Sequence, residues 1–461
     1  MERFDVAVVG GGPAGSAAAH AAAESGASAV VLEKGVPRAD RPDRLGPDST
    51  DAAGILDYWV DIMGIHPDEM PDDVVVSTLD RAEFIGPNES LVLRKTGFDT
   101  SYDHFGFCMH RARFDDFLRD RAESAGAEYR VKASVRDVVT DIEGSPRHTV
   151  RLANGEDVAA DFVVLADGPQ RQITNKVLDR FLSFDVTDRL ATTKVNHIAY
   201  QEHRRLPEDV AREVEGAIKF WWGYMPGHTA YPWIFPNDDN VARIGLTMPI
   251  GMDLSAVEAR EKYKLLRDSD ERIPQGREYV RRLLEQEYGD EYDVETDFPV
   301  VEDRGKSKGT ETYAISSTRP IDSPTAAGIA VVGGAMGATS AFHEGGDHTA
   351  VRTGAIAGEL AGAGDLSAYN DRWKEAIGDE VRRNVAFADI VRDYGPDDWD
   401  RSFAAARKMM EASSSDKLFN LDVGTVRAGL SVGRLATRFK KAKYKFRGDR
   451  YVQLFADEYT V

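Results

Sequence analysis

The residues of this chain best suited to chemistry begin at Gly10-Gly11-Gly12-Pro13-Ala14-Gly15 and continue with the acid Glu33, followed by Lys34. A GxGxxG turn lets backbone amides approach a pyrophosphate. Gly10 permits the tight turn, Gly12 the close approach of backbone to ligand, and Gly15 the close packing of helix on strand. Pro13 suits the first turn of a helix, where its missing N–H is not needed, and the helix N-terminus attracts phosphate charge. Glu33, 18 residues beyond Gly15, is placed to accept hydrogen bonds from an adenosine ribose. Such a turn works only between a strand and a helix, and the flanking sequence supplies both. Phe4-Asp5-Val6-Ala7-Val8-Val9 reads as a short buried strand, an alanine-rich helix runs to about Glu24, and Ala29-Val30-Val31-Leu32 is a second strand ending at Glu33. Together they predict a βαβ dinucleotide-binding unit and leave the dinucleotide itself open.

The whole chain is consistent with that reading. Its 461 residues, 42% of them hydrophobic, suffice for several domains and a sizeable core. Cys108 is the single cysteine, which excludes an internal disulfide, a thiolate zinc site and a four-cysteine iron–sulfur cluster. A net charge of −20 argues against general nucleic-acid binding. Few lysines beside many acids is a composition a halophile uses in concentrated salt. No run of 18 apolar residues occurs and no charged n-region opens the chain, so the expected location is cytoplasmic.

Further motifs carry a family resemblance. His110-Arg111-Ala112-Arg113-Phe114-Asp115-Asp116-Phe117-Leu118 looks like the RxxFDxxL helix of FAD proteins whose cofactor domain is interrupted by a substrate domain. Phe162-Val163-Val164-Leu165-Ala166-Asp167-Gly168 matches their strand ending in ADG, and Gly328 to Gly337 occupies the place of their GDAAG signature. The resemblance implies that Arg113, Asp167, Gly168, Gly334 and Gly337 approach FAD. It also implies that the helix after Phe342-His343-Glu344-Gly345-Gly346 aims its N-terminus at the flavin's pyrimidine edge. Gly334 stands where that superfamily has an aspartate for the ribityl chain.

Between these motifs, Tyr231-Pro232-Trp233-Ile234-Phe235-Pro236 and Asn240-Val241-Ala242-Arg243-Ile244-Gly245-Leu246 resemble the YxWxFP motif and following strand of archaeal, haloarchaeal-like geranylgeranyl reductases. These flavoenzymes saturate isoprenoid double bonds of lipids. The resemblance covers roughly residues 1 to 365 and implies a prenyl-lipid substrate against Trp222, Tyr231, Trp233 and Phe235. Trp233 and Phe235 also fit a sheet core, alternating with Ile234 on the other face. The family's PCGG-like segment corresponds to Arg44-Leu45-Gly46-Pro47-Asp48-Ser49, where no cysteine is present. His343 is therefore the candidate proton source, able to titrate near neutrality in the absence of burial. His343-Glu344-Gly345 also resembles the HREG segment of electron-transfer-flavoprotein dehydrogenases.

From Ser367 the pattern turns helical, and residues 427 to 450 carry a local charge of +8. Val432, Leu435 and Phe439 interleave with Arg438, Lys440, Lys441, Lys443 and Lys445, as in a basic amphipathic segment that contacts anionic membrane surface. A basic flap lying on an acidic body is the other reading.

The expected architecture is α/β, a Rossmann-type FAD-binding domain (1–70, 105–180, 301–365) interrupted by a β-rich substrate domain (71–104, 181–300), with a helical C-terminal region (366–461). The expected activity is FAD-dependent reduction of prenyl C=C bonds, with ferredoxin or NAD(P)H as electron donor. The alternatives are a quinone reductase, a flavin monooxygenase or halogenase, and a flavin-binding protein without catalysis. No resident metal is expected.

Overall fold

Val6 to Val9 are covered on both faces and leave almost no surface exposed, which makes the N-terminal strand Glu2–Val9 the middle of a sheet rather than an edge. The computed structural model describes residues 1–37, 40, 54–181, 197–305, 307–315, 320–412 and 430–445. In it, this seven-stranded sheet runs in the order Glu128–Arg130, Ala29–Leu32, Glu2–Val9, Val158–Leu165, His148–Leu152, Val135–Thr140. Ile329–Val331 joins it parallel to Val158–Leu165. The parallel pairing brings the carboxyl ends of four strands, at Val9, Leu32, Leu165 and Val331, to one edge. Open α/β sheets hold ligands there.

The helix Pro13–Glu24 lies against the later helix Asp347–Gly362 at unusually close range. A β-carbon at Gly354 would stand 2.0 Å from the Ala14 carbonyl oxygen, and one at Gly358 would stand 1.9 Å from that of Ala18. Ala14, Ala18 and Ala22 supply the other side of the contact. Small residues thus let two helix backbones touch, and both N-termini face the same edge of the sheet.

A second seven-stranded sheet runs Thr310–Ile315, His197–Arg205, Val241–Pro249, Tyr231–Pro236, Ala217–Trp221, Arg81–Ile85, Ser90–Leu93. Its pairs are antiparallel except Ala217–Trp221 with Arg81–Ile85. Along Tyr231–Pro236 the side chains alternate as period-2 reading predicts: Tyr231, Trp233 and Phe235 face one hydrophobic cluster, and Ile234 joins the opposite one. The helix Gly276–Tyr288 covers the Ile234 face. On the aromatic face lie the helices Tyr369–Val391 and Pro396–Ala412. A small sheet of Gly54–Leu56, Gly106–Met109 and Val75–Leu79 bridges the two large ones.

One expected boundary is corrected. Thr310–Ile315 pairs in full register with His197–Glu202 and is the edge strand of the second sheet, so this strand does not belong to the FAD-binding part. The chain is back in the core of the first sheet by Ile321 and pairs with that sheet from Ile329. The C-terminal helix Leu430–Lys445 packs on Tyr369–Val391, with Phe439 stacked on Phe387 at 4.7 Å and Ala442 buried.

The helix contact yields a stability test. Gly358→Ala forces a methyl into a carbonyl that has no rotamer with which to yield, so a cost toward or beyond the upper end of the ~1–3 kcal/mol typical of overpacking is expected. A lowered thermal midpoint checks this. An unchanged midpoint would contradict the close packing.

Candidate functional site

A cavity of about 660 Å³ runs from the strand ends of the first sheet to the aromatic face of the second. Gly12, Pro13 and Ala14 line it at one side, and Ala166, Gly168 and Gly334 at another. Gly345, Gly346 and Asp347 close the cleft at the start of the helix Asp347–Gly362. A β-carbon at Gly12 or Gly168 would meet nothing within 4 Å, so both present bare backbone to open space. Gly10 acts differently. Its φ of +100° and the Ala166 oxygen 2.5 Å from any β-carbon confine this position to glycine, which turns the chain behind the cleft. Gly15 likewise stands behind it, against the Gly10 carbonyl.

Glu33 sits at the end of Ala29–Leu32 and accepts from the backbone N–H of Gly11 at 2.6 Å and of Gly35 at 2.5 Å. Its carboxylate is thereby fixed beside the glycine turn, with Lys34 exposed next to it. Asp167 does not point at the cleft. Its carboxylate accepts from Ile173 N–H at 2.7 Å, Thr174 N–H at 3.1 Å and the Thr174 hydroxyl, holding the start of the helix Gln172–Leu178. Gly337 closes the short turn Gly333–Met336 in left-handed conformation and stands outside the cavity lining. At Gly334 a β-carbon would lie 3.1 Å from Pro169, so the aspartate found elsewhere in the superfamily has little room here.

The arginine expectation is corrected. Arg111, not Arg113, lines the cleft, paired with Asp115 at 2.8 Å and Asp347 at 3.0 Å. Arg113 lies two residues on, on another face of the helix Arg111–Ser124, and donates to the Asp73 carbonyl at 2.8 Å. No motif separated the two, because the choice rests on Asp347, which is remote in sequence.

Beyond the cleft the lining turns aromatic. Trp222, Tyr231, Trp233 and Phe235 all border the cavity, as expected, and Phe84 and Phe220 extend the wall. Trp222 stacks on Tyr231 at 4.2 Å and contacts Trp399 at 4.4 Å. Arg383 and Asn384 are its polar exceptions from the C-terminal helices. Sequence reading missed these, since nothing local marks which face of Tyr369–Val391 turns inward.

The loop between cleft and corridor carries the titratable groups. His343 borders the cavity, and its Nδ1 accepts from Gly345 N–H at 3.3 Å. Its expected titration near neutrality is corrected: burial, with His348 nearby, pushes the imidazole down to about 3, so it is neutral at physiological pH. His348 stacks on Trp59 at 4.1 Å and bonds to Glu380 at 2.5 Å. Burial alone would raise the Glu380 carboxyl, but His348 holds it at about 2. Glu344 moves the opposite way, pushed up to about 8 by burial despite hydrogen bonds from Thr247 and Thr229. Cys108 is buried, its thiol pushed up to about 12 by burial. The Arg44–Ser49 segment lies outside the described residues.

Known proteins agree with this geometry. Residues 5–77 match the family model for an FAD binding domain, and residues 51–204 that for tryptophan halogenase. The chain is 26% identical over 433 residues to digeranylgeranylglycerophospholipid reductase of Methanothrix thermoacetophila, covering 91% of this chain and 94% of the relative. It is 29% identical over 388 residues to digeranylgeranylglycerophospholipid reductase 2 of Methanopyrus kandleri, covering 81% and 83%. The fold matches a geranylgeranyl bacteriochlorophyll reductase-like protein of Thermoplasma acidophilum with a TM-score of 0.66 at 20% identity, over 97% and 99% of the two chains. Over most of its length the chain is similar to digeranylgeranylglycerophospholipid reductases, from which it is divergent, and it shares the fold of a geranylgeranyl reductase-like protein. Like others of the wider fold it binds FAD, and the bare backbone at Gly12 and Gly168 leaves the cleft room for a pyrophosphate.

Glu33→Ala is expected to weaken FAD binding about ten- to hundredfold, the worth of one charge-assisted hydrogen bond. The check is equilibrium titration of the apoprotein with FAD. An unchanged dissociation constant would show that Glu33 serves only the glycine turn.

Proposed function

We propose that this protein is an FAD-dependent oxidoreductase that reduces the C=C bonds of prenyl chains on a glycerophospholipid. The observation that carries the reading is the continuity of the cavity, glycine backbone at one end and Phe84, Phe220, Trp233 and Phe235 at the other. Each methylene drawn from water into such a corridor contributes about 0.8 kcal/mol, enough to hold a long apolar chain without polar contacts. Reduced FAD, when bound, supplies hydride. Gly12, Gly168 and Arg111 would hold the dinucleotide, and the aromatic wall would orient the chain and exclude water from the reacting bond.

The approach of such a lipid supports a surface role for the C-terminal helix. Phe439 and Ala442 face the protein, while Lys440 and Lys441 are exposed on its outer side. No helix among the described residues is long and apolar enough to cross a membrane. The basic face suits contact with anionic headgroups at about 1 kcal/mol per cation before screening by salt. The acid-rich remainder supports work in concentrated salt. Residues 427–429 and 446–450 of the basic segment lie outside the described residues.

A halogenase or monooxygenase reading draws on the tryptophan halogenase match, but such chemistry consumes oxygen. Photoreduced protein mixed anaerobically with unsaturated archaeal-type phospholipid is expected to reoxidise, and mass spectrometry to show one added hydrogen molecule per double bond. Reoxidation only on admitting oxygen, with unaltered lipid, would overturn the proposal. Separately, Lys440→Glu with Lys441→Glu should release the protein from anionic vesicles at low salt without changing FAD content. Equal co-sedimentation of variant and wild type would end the membrane reading.

A further inference from the structure

Reduction of an alkene needs a proton as well as a hydride, and a corridor that excludes water must supply it from a side chain. The structure leaves one buried acid there without an assigned task. Glu344 joins the cleft to the corridor, between His343 and Gly345-Gly346. Its side chain is 3% exposed.

The position of the carboxyl follows from the sheet register. Tyr313, Ala199, Thr247 and Tyr231 stand in one row across four strands, each directly opposite the next. Directly paired residues point to the same face of a sheet. Tyr313, Ala199 and Tyr231 border the cavity, so Thr247 turns toward that face as well. The Thr247 hydroxyl donates to Glu344 Oε2 at 2.5 Å, which brings the carboxyl onto the cavity face between the two tyrosines. Thr229 donates to Oε1 from 3.4 Å. Tyr231 Oη donates to the His343 carbonyl at 3.0 Å and fixes the same loop. Glu344 itself holds a φ of +60°, a strained conformation for a non-glycine residue that persists where the surroundings enforce it.

We infer that Glu344 is the proton-donating catalytic residue of this enzyme, its carboxyl meeting the alkene where the flavin cleft opens into the aromatic corridor. The inference rests on the proposed reduction of prenyl chains. On reduction the alkene π bond breaks. One carbon receives hydride and its electron pair from reduced FAD, which is oxidised, and the other forms a C–H bond with the Glu344 proton. The carboxylate left behind is reprotonated from water between turnovers. A proton is available at neutral pH because burial keeps this acid protonated. Among the described residues no lysine or arginine forms an ion pair with it. The titratable groups packed around it are His197 at 3.6 Å, Tyr231 and His343, and burial keeps all three neutral.

The test compares FAD-loaded wild type with Glu344→Gln, which preserves shape and can still accept from Thr247, and with Glu344→Asp, which keeps an acid on a shorter stem. Infrared spectra of the oxidised proteins at neutral pH should show a protonated carboxylic acid band in the wild type that is lost in the Gln variant. In anaerobic single turnovers with unsaturated phospholipid, Glu344→Gln should slow flavin reoxidation by about 10² to 10⁴. FAD content should not change, and Glu344→Asp should recover part of the rate. Equal rates for wild type and Glu344→Gln, or retention of the acid band in that variant, would overturn the assignment. Should Glu344→Gln fail to fold, a full wild-type rate in Glu344→Asp at pH 6 to 9 or a wild-type spectrum without the acid band would do so. Wild-type protein that reduces no prenyl lipid would instead remove the underlying function, and the assignment with it.

Discussion

The loop from Ser340 to Gly346 has to satisfy two sheets at once, and the function of the molecule depends on how it does so. On one side it leads into the helix Asp347–Gly362, whose Gly354 and Gly358 press against the backbone of Pro13–Glu24. On the other it is tied to the second sheet through Tyr231, Thr247 and Thr229. A hydride source and a greasy chain can meet only if these two attachments hold the cleft and the corridor in line. The rigidity of the helix contact, made of backbone and β-carbons, therefore passes directly to the place where the two substrates come together.

Burial then decides the charges around that place. Loss of water drives His343 and His197 to their neutral forms and Glu344 to its protonated form. Glu380 escapes the same fate, held down chiefly by His348, which bonds to it, with Arg383 adding to the effect. Arg383 is the charged exception on the corridor side, whereas Arg111 and Asp347 at the cleft form an ion pair. That division suits a cofactor with phosphates at one end and a hydrocarbon at the other.

Local pattern made much of this legible in the sequence. The glycine turn, its two strands and Glu33 follow from spacing within some thirty residues, and the inward set Tyr231, Trp233 and Phe235 follows from alternation along one strand. The residues that escaped are those whose role is fixed by distant chain. Arg111 is chosen over Arg113 by Asp347, Asp167 is drawn away from the cleft by Ile173 and Thr174, and Thr310–Ile315 takes its place from pairing with His197–Glu202. Glu344 lay in plain view within a recognised segment. Its importance emerges only with the row of Thr247 and Tyr231, which no linear pattern brings beside it.

Cleft and corridor are proposed to form one continuous path for a prenyl chain. A crystal structure of the FAD-loaded protein with a saturated prenyl phospholipid tests it most directly. Chain density is expected along Phe84, Phe220 and Trp233, ending against the flavin beside Glu344. A chain bound elsewhere, or a corridor closed off from the flavin when FAD is present, would contradict it.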